Sequence, residues 1–142
     1  MIQRIQSVYL FLSAIASAGM FFMPYSQVGD EVLTVSGYPD GSILYFYSFV
    51  VINATMTLMT LLTVFQFRNR MMQMRLCKVN SLLALFLLAL IFRATDSMAG
   101  NETNVTYHAG TFLPLIQVIL FLLANRSIKK DDEMVRSADR LR

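Results

Sequence analysis

Hydrophobic and polar positions alternate in blocks along this chain rather than residue by residue. Four apolar runs, Ser7 to Tyr25, Ile43 to Phe67, Val79 to Phe92 and Thr111 to Ala124, are separated by polar segments. The first run has nineteen residues. At 1.5 Å per residue a helix of that length covers about 28 Å, close to one hydrocarbon core. The third run is short by itself, but Lys78 and Arg93 at its ends have long aliphatic stems that reach toward headgroups. The pattern therefore predicts an all-α chain. It is read as a single four-span membrane domain over 1–142, with spans at about 7–25, 43–67, 76–93 and 111–125. The spans form a four-helix bundle of two hairpins, and residues 126–142 follow as a charged helical tail.

The polar segments set the boundaries. Pro24 marks the end of the first span, and Gly37, Pro39, Asp40 and Gly41 are turn residues. Val32 to Val35 is a β-prone fragment too short to make a domain. Phe67 to Lys78 is short and basic, and it reads as the turn between the two hairpins. After Asn125 no Gly or Pro stops the helix, and Asp132 and Arg136 stand four apart in the favourable order. A cleaved leader is the competing reading of the first run, with Ala16-Ser17-Ala18 as its cut. The run continues past that point through Met20-Phe21-Phe22-Met23, which favours a retained span.

Composition strengthens the membrane reading. The chain is 56% hydrophobic and 15% charged, with a mean hydropathy of +0.53; soluble domains are about 45–50% apolar and about 25% charged. Net charge is +3, and eleven of the twelve Lys and Arg fall at the start, in the middle or after residue 125. The segments between the spans of each hairpin hold five acids and at most Arg93. Basic residues collect on the cytoplasmic side, so both termini and the middle turn are expected inside a bacterial inner membrane. Because the charges flank apolar spans, a lipid bilayer with anionic headgroups is the expected partner, and nucleic acid is not.

Chemistry-bearing residues are few. One cysteine, Cys77, and one histidine, His108, cannot build a zinc site. The topology also sets the two on opposite sides of the membrane. No phosphate loop and no acid inside an apolar run are present, so no enzyme activity, cofactor or metal is expected. Asn53, Thr57 and Thr60 share one face of the second span by their 4-3 spacing. Their side chains either bond to helix backbone and neighbouring helices or line a substrate path. Ser13 with Ser17, and Ala14 with Ala18, let another helix approach the first span closely. Arg93 reads as an interfacial anchor with Asp96 as partner. His108 has no visible partner.

The opening Met1 to Leu10, the inner Phe67-Arg68-Asn69-Arg70 with Gln73, Leu76, Cys77 and Asn80, and the closing Lys130 to Glu133 with Val135 to Arg142 resemble a family of small four-helix inner-membrane proteins of Bacteroidota. That family is classed only as a domain of unknown function. The resemblance covers the whole chain and implies four spans and a retained N-terminus. It implies no activity. In such a host, Asp96-Ser97-Met98 resembles a short O-glycosylation sequon, which makes Ser97 a candidate modification site.

The expected role is a non-enzymatic scaffold or accessory subunit that packs with a membrane-protein partner or with its own copies. Its cytoplasmic interaction face would comprise Gln3 and Arg4, the central Arg68, Arg70, Arg75 and Lys78, and the tail residues Lys130, Asp131, Asp132, Glu133, Arg136, Asp139, Arg140 and Arg142. Arg70, Arg75 and Lys78 are the natural partners of Asp131, Asp132 and Glu133. The alternative is a small transporter or channel component that uses the polar face of the second span.

Overall fold

The computed structural model describes residues 5–35, 43–66, 69–100 and 104–140. Four helices dominate: α1 (Ile5–Gly19), α2 (Ile43–Phe65), α3 (Arg70–Ala99) and α4 (Ala109–Arg140). Three of them, α2, α3 and the Ala109–Val135 part of α4, are long and apolar enough to cross a membrane. Each helix packs against two others, α1 on α2 and α4, and α3 on α2 and α4.

The all-α expectation is incomplete. Three short strands, β1 (Ser26–Val28), β2 (Glu31–Leu33) and β3 (Val105–Tyr107), form one antiparallel sheet in the order β2-β1-β3. Val28 pairs with Glu31, so Gly29 and Asp30 alone make the hairpin turn. Gly29 has φ +59° and no other residue of that turn has a positive φ. Glycine at the first central position is the mark of the type II′ turn, whose twist suits a hairpin. β3 arrives from the second polar segment and pairs Ser26 with Tyr107 and Val28 with Val105. The two segments that join the hairpins' helices are thus one structure.

The first span also needs correction. α1 ends at Gly19 after 15 residues, not at Tyr25. Phe21 N–H donates to Ala18 O at 3.2 Å and Met23 N–H to Gly19 O at 3.2 Å, so the chain turns there. Pro24 has no N–H to continue a helix. The apolar tetrad Met20 to Met23 is a turn around which the chain enters the sheet, with Met20 buried and Phe22 87% exposed.

The basic stretch is not a loop. α3 begins at Arg70, with Asn69 as its cap: the Asn69 side chain accepts from Met72 N–H at 3.2 Å. A cap of this kind satisfies one of the unpaired donors of the first turn. Arg and Lys are good helix formers, so Arg70, Arg75 and Lys78 ride on the first turns of a 30-residue helix. α4 likewise runs unbroken from the fourth apolar run through most of the tail. Its Pro114 is the sixth residue of the helix, inside it, where the missing N–H leaves the Gly110 carbonyl without its usual i→i−4 donor.

Two cores follow. Met20, Tyr25, Leu33, Phe49, Met56, Leu87 and Ile91 belong to a cluster beneath the sheet. Leu10, Cys77, Phe121, Ala124 and Ile128 form a second, nearer the α3 N-terminus.

Candidate functional site

The sheet end is organised by Tyr25. Its backbone N–H donates to Leu33 O at 2.8 Å, and its carbonyl accepts from His108 N–H at 2.9 Å and from the Thr111 hydroxyl. Its phenol is fully buried, donates to Met20 O at 3.3 Å and accepts from Asn53 Nδ2 at 3.3 Å. The ring packs on Phe49 with centroids 5.7 Å apart. Burial pushes the phenol above its ordinary range. Gly110 lets this happen: a Cβ there would stand 2.3 Å from Pro24 O and 2.9 Å from Pro24 C, a distance no side chain can occupy. Beside it, Thr95 spends its proton on Ile91 O at 2.8 Å, so the Ser26 hydroxyl donates to Thr95 Oγ1 at 2.7 Å. This ties β1 to α3.

Asn53, Thr57 and Thr60 are brought to one face and each makes one donor bond, while Asn53 Oδ1 is buried without a partner. Thr57 donates to Asn53 O at 2.9 Å and Thr60 to Met56 O at 2.7 Å. Asn53 serves Tyr25. Hydroxyls bonded in this way relieve the backbone of a helix and offer no donor to a passing solute. The paired serines of α1 are both buried, and Gln117 of α4 donates to Ser17 Oγ and to Ser13 O, the latter at 3.4 Å. Small side chains there admit α4, as their spacing predicts.

His108 differs from expectation. Its Nε2 stands 3.3 Å from Gln27 Oε1, across the β1–β3 pair. Arg93 points outward, 73% exposed, and meets Asp96 at 3.6 Å. Ser97 is exposed in the last turn of α3 rather than in a loop.

At the opposite end, α3 and α4 lie side by side and carry the charges. Arg70 reaches Asp131 twice, donating to its backbone carbonyl at 3.2 Å and pairing with its carboxylate at 3.7 Å. Lys129 pairs with Glu133 one turn along α4 at 3.8 Å. Arg75, Lys78 and Lys130 are exposed, whereas Asp131 and Asp132 are half-buried. Gln3, Arg4, Arg68 and Arg142 lie outside the described residues, as do the side chains of Arg136, Asp139 and Arg140.

Sequence reasoning missed a set of buried amides near this end. Gln6 and Gln73 are almost fully enclosed, and Asn80 is completely so. Gln73 Nε2 donates to Thr63 O at 3.1 Å, but its Oε1 has no partner, nor has Gln6 Oε1. Asn80 has neither its Nδ2 nor its Oδ1 paired, and Asn125 Oδ1 is buried unpaired as well. Their signal in sequence is an amide at an apolar helix position, here Gln73, Cys77 and Asn80 at 4-3 spacing.

One family model, described as a domain of unknown function (DUF4293), matches residues 2–141 of the chain. No curated protein and no solved structure matches it.

Proposed function

The chain belongs to the DUF4293 family of unknown function, and we propose that it is a non-enzymatic accessory subunit of a membrane complex that docks a protein partner through its charged α3–α4 end. The observation that carries this reading is the length of those two helices. At 1.5 Å per residue, α3 with 30 residues runs about 45 Å and α4 with 32 residues about 48 Å. A hydrocarbon core is about 30 Å thick. Both helices therefore overrun a bilayer, and the overrun of α4 carries Lys129 to Glu133 beside Arg70 of α3. A two-helix projection of mixed charge, held to a buried base, is a docking element. The transporter reading has less support, because the hydroxyls of the Asn53 face are bonded to backbone carbonyls.

In the proposed topology four spans cross the inner membrane of a Bacteroidota cell, with both termini in the cytoplasm and the sheet outside. The sign of the charge supports it, since Arg70, Arg75, Lys78, Arg126, Lys129 and Lys130 lie at one end. α1 enters this arrangement as a shorter helix, and the Met20–Met23 turn carries the chain onward from it to the sheet.

Two measurements test the proposal. Cys77 is the sole cysteine, so a Cys77→Ala background takes single cysteines at Asn104 and Ser137, both exposed. A membrane-impermeant maleimide is expected to label N104C in intact cells and S137C only after lysis; the reverse order refutes the topology. A photo-crosslinker at Met134, 52% exposed on α4, is expected to trap a second protein. That adduct should be lost with Lys129→Glu and Lys130→Glu together. Recovery of the uncrosslinked chain alone from native membranes overturns the docking role.

A further inference from the structure

A groove of about 260 Å³ lies between α3 and α4. Its floor includes Cys77 and Phe121, which are fully buried, and its walls include Leu82 and Leu122, 67% and 57% exposed. Lys78, Ser81 and Asn125 complete its lining. The direction of the two helices orders these residues. α3 runs away from the charged end and α4 runs toward it, so Lys78 and Asn125 stand on the charged side of Leu82 and Leu122. The groove surface is thus almost wholly apolar, and its polar edge is limited to the exposed Lys78 and to Asn125 on the charged side. Lys78 and Leu82 are one helical turn apart on one face. Asn125 holds a buried, unpaired Oδ1 at the polar edge, and its amide group also carries two N–H donors. Arg126, exposed, follows it directly in the chain.

This gradient matches one molecule class. We propose that the α3–α4 groove is a binding site for an anionic phospholipid of the inner leaflet, with the phosphate at Lys78 and Asn125 and an acyl chain along Leu82, Phe121 and Leu122. The proposal rests on the membrane reading and orientation above. The charge supplies the preference for the anionic headgroup, because a Lys near a headgroup surface attracts acidic lipid. The shape supplies the place, because a groove beside an annular leucine pair holds one chain in register with the cation. A bound lipid there also bridges α3 and α4 at the base of the charged projection, which links membrane composition to the docking end.

The chain contains no tryptophan, which makes the test direct. Leu82→Trp places one fluorophore in the groove wall, and Leu58→Trp places one on α2 at an exposed site outside the groove lining. Each full-length variant is set in phosphatidylcholine nanodiscs containing a minor share of acyl-brominated phosphatidylglycerol, or of acyl-brominated phosphatidylcholine. The L82W protein is expected to show about five-fold local enrichment of the anionic lipid, the preference one lysine confers. Lys78→Gln should abolish it, and L58W should show none. Equal quenching of L82W by both lipids overturns the site, leaving only ordinary annular contact. Quenching of L58W with L82W protected from both lipids also overturns it, since protein then covers the groove. If neither lipid quenches either variant, the membrane reading itself is refuted. Both substituted leucines are exposed, and the far-ultraviolet circular dichroism of each variant verifies its helices.

Discussion

The two ends of this molecule solve the same problem with opposite chemistry. Each must hold together helices whose backbones leave unpaired groups. The sheet end uses neutral, directional bonds that converge on Tyr25, whose backbone and phenol together engage Leu33, His108, Thr111, Met20 and Asn53. The charged end uses long side chains on neighbouring helices, of which Arg70 with Asp131 is the main tie. Neutral bonds inside a packed cluster tolerate no rearrangement, whereas half-exposed charges exchange partners at small cost. A closed, rigid end and an open, exchangeable one suit the docking role proposed above.

This contrast predicts its largest effects at the sheet end. Tyr25→Ala removes a fully buried ring and the convergence of bonds, and should cost about 3–5 kcal/mol. The measure is the thermal or denaturant unfolding of the full chain in a mild detergent. Gly110→Ala should cost about 2–3 kcal/mol, since the new methyl meets the Pro24 backbone rather than a movable side chain. If either variant melts like the parent, the sheet end is not the rigid one. Tyr25→Phe isolates the hydroxyl, and its loss should cost about 1–2 kcal/mol.

The same hydroxyl gives a pH signature. An ordinary phenol ionises near pH 10, and burial raises the value for folded Tyr25 above that. Above about pH 10 the unfolded chain therefore releases a proton that the folded chain retains. Stability owed to this group is complete below that pH and declines above it. The Tyr25→Phe variant lacks this loss, so the gap between it and the parent should narrow as pH rises from 9 toward 11 (roughly the window of the unfolded phenol). A gap independent of pH would show that the phenol is solvated.

How much of this was legible in the sequence follows from the range of each signal. The helices were, because apolar runs of fourteen to twenty-five residues carry their own periodicity and length. The sheet was not. Its strands have three residues each, too few for alternation to register, and β3 reaches β1 from far along the chain. One local cue was available: Gly29-Asp30 between Gln27-Val28 and Glu31-Val32 is a hairpin turn by composition. Tyr25 looked like the last residue of a span because apolarity alone does not tell a helix from the turn that ends it. Asn69 before Arg70 was likewise a readable cap, but the density of charge after it suggested a loop. The buried amides could be placed on an inward face but not found unpaired, since pairing depends on other helices.

Those amides sharpen the comparison from inside. Asn80 is enclosed at the charged half with both side-chain polar atoms unpaired. An amide in that state costs about 1–3 kcal/mol, and an apolar group of similar shape avoids the cost. Asn80→Leu should therefore stabilise the protein by about 1–2 kcal/mol. A destabilised variant would mean that Asn80 has a polar partner in the folded protein, and the charged half would then be more tightly specified than the contrast allows.

The smallest effect belongs to Arg70. Its side chain is 20% exposed and that of Asp131 30%, with a charge separation of 3.7 Å. An ion pair of that kind contributes about 0–1 kcal/mol, and the bond to the Asp131 carbonyl adds little more. Arg70→Met keeps much of the aliphatic stem and removes the charge, so its effect on melting should stay below about 1 kcal/mol. The parent's small advantage should shrink further in high salt, where charges more than about 3 Å apart at 1 M are screened. The contrast requires the functional readout to respond far more than stability does. The crosslink from Met134 should weaken in Arg70→Met, because Arg70 sets how α4 leans on α3 at the start of the projection. A loss of several kcal/mol with the crosslink intact would reverse the assignment, making this end a structural clamp and the sheet end the more tolerant of the two.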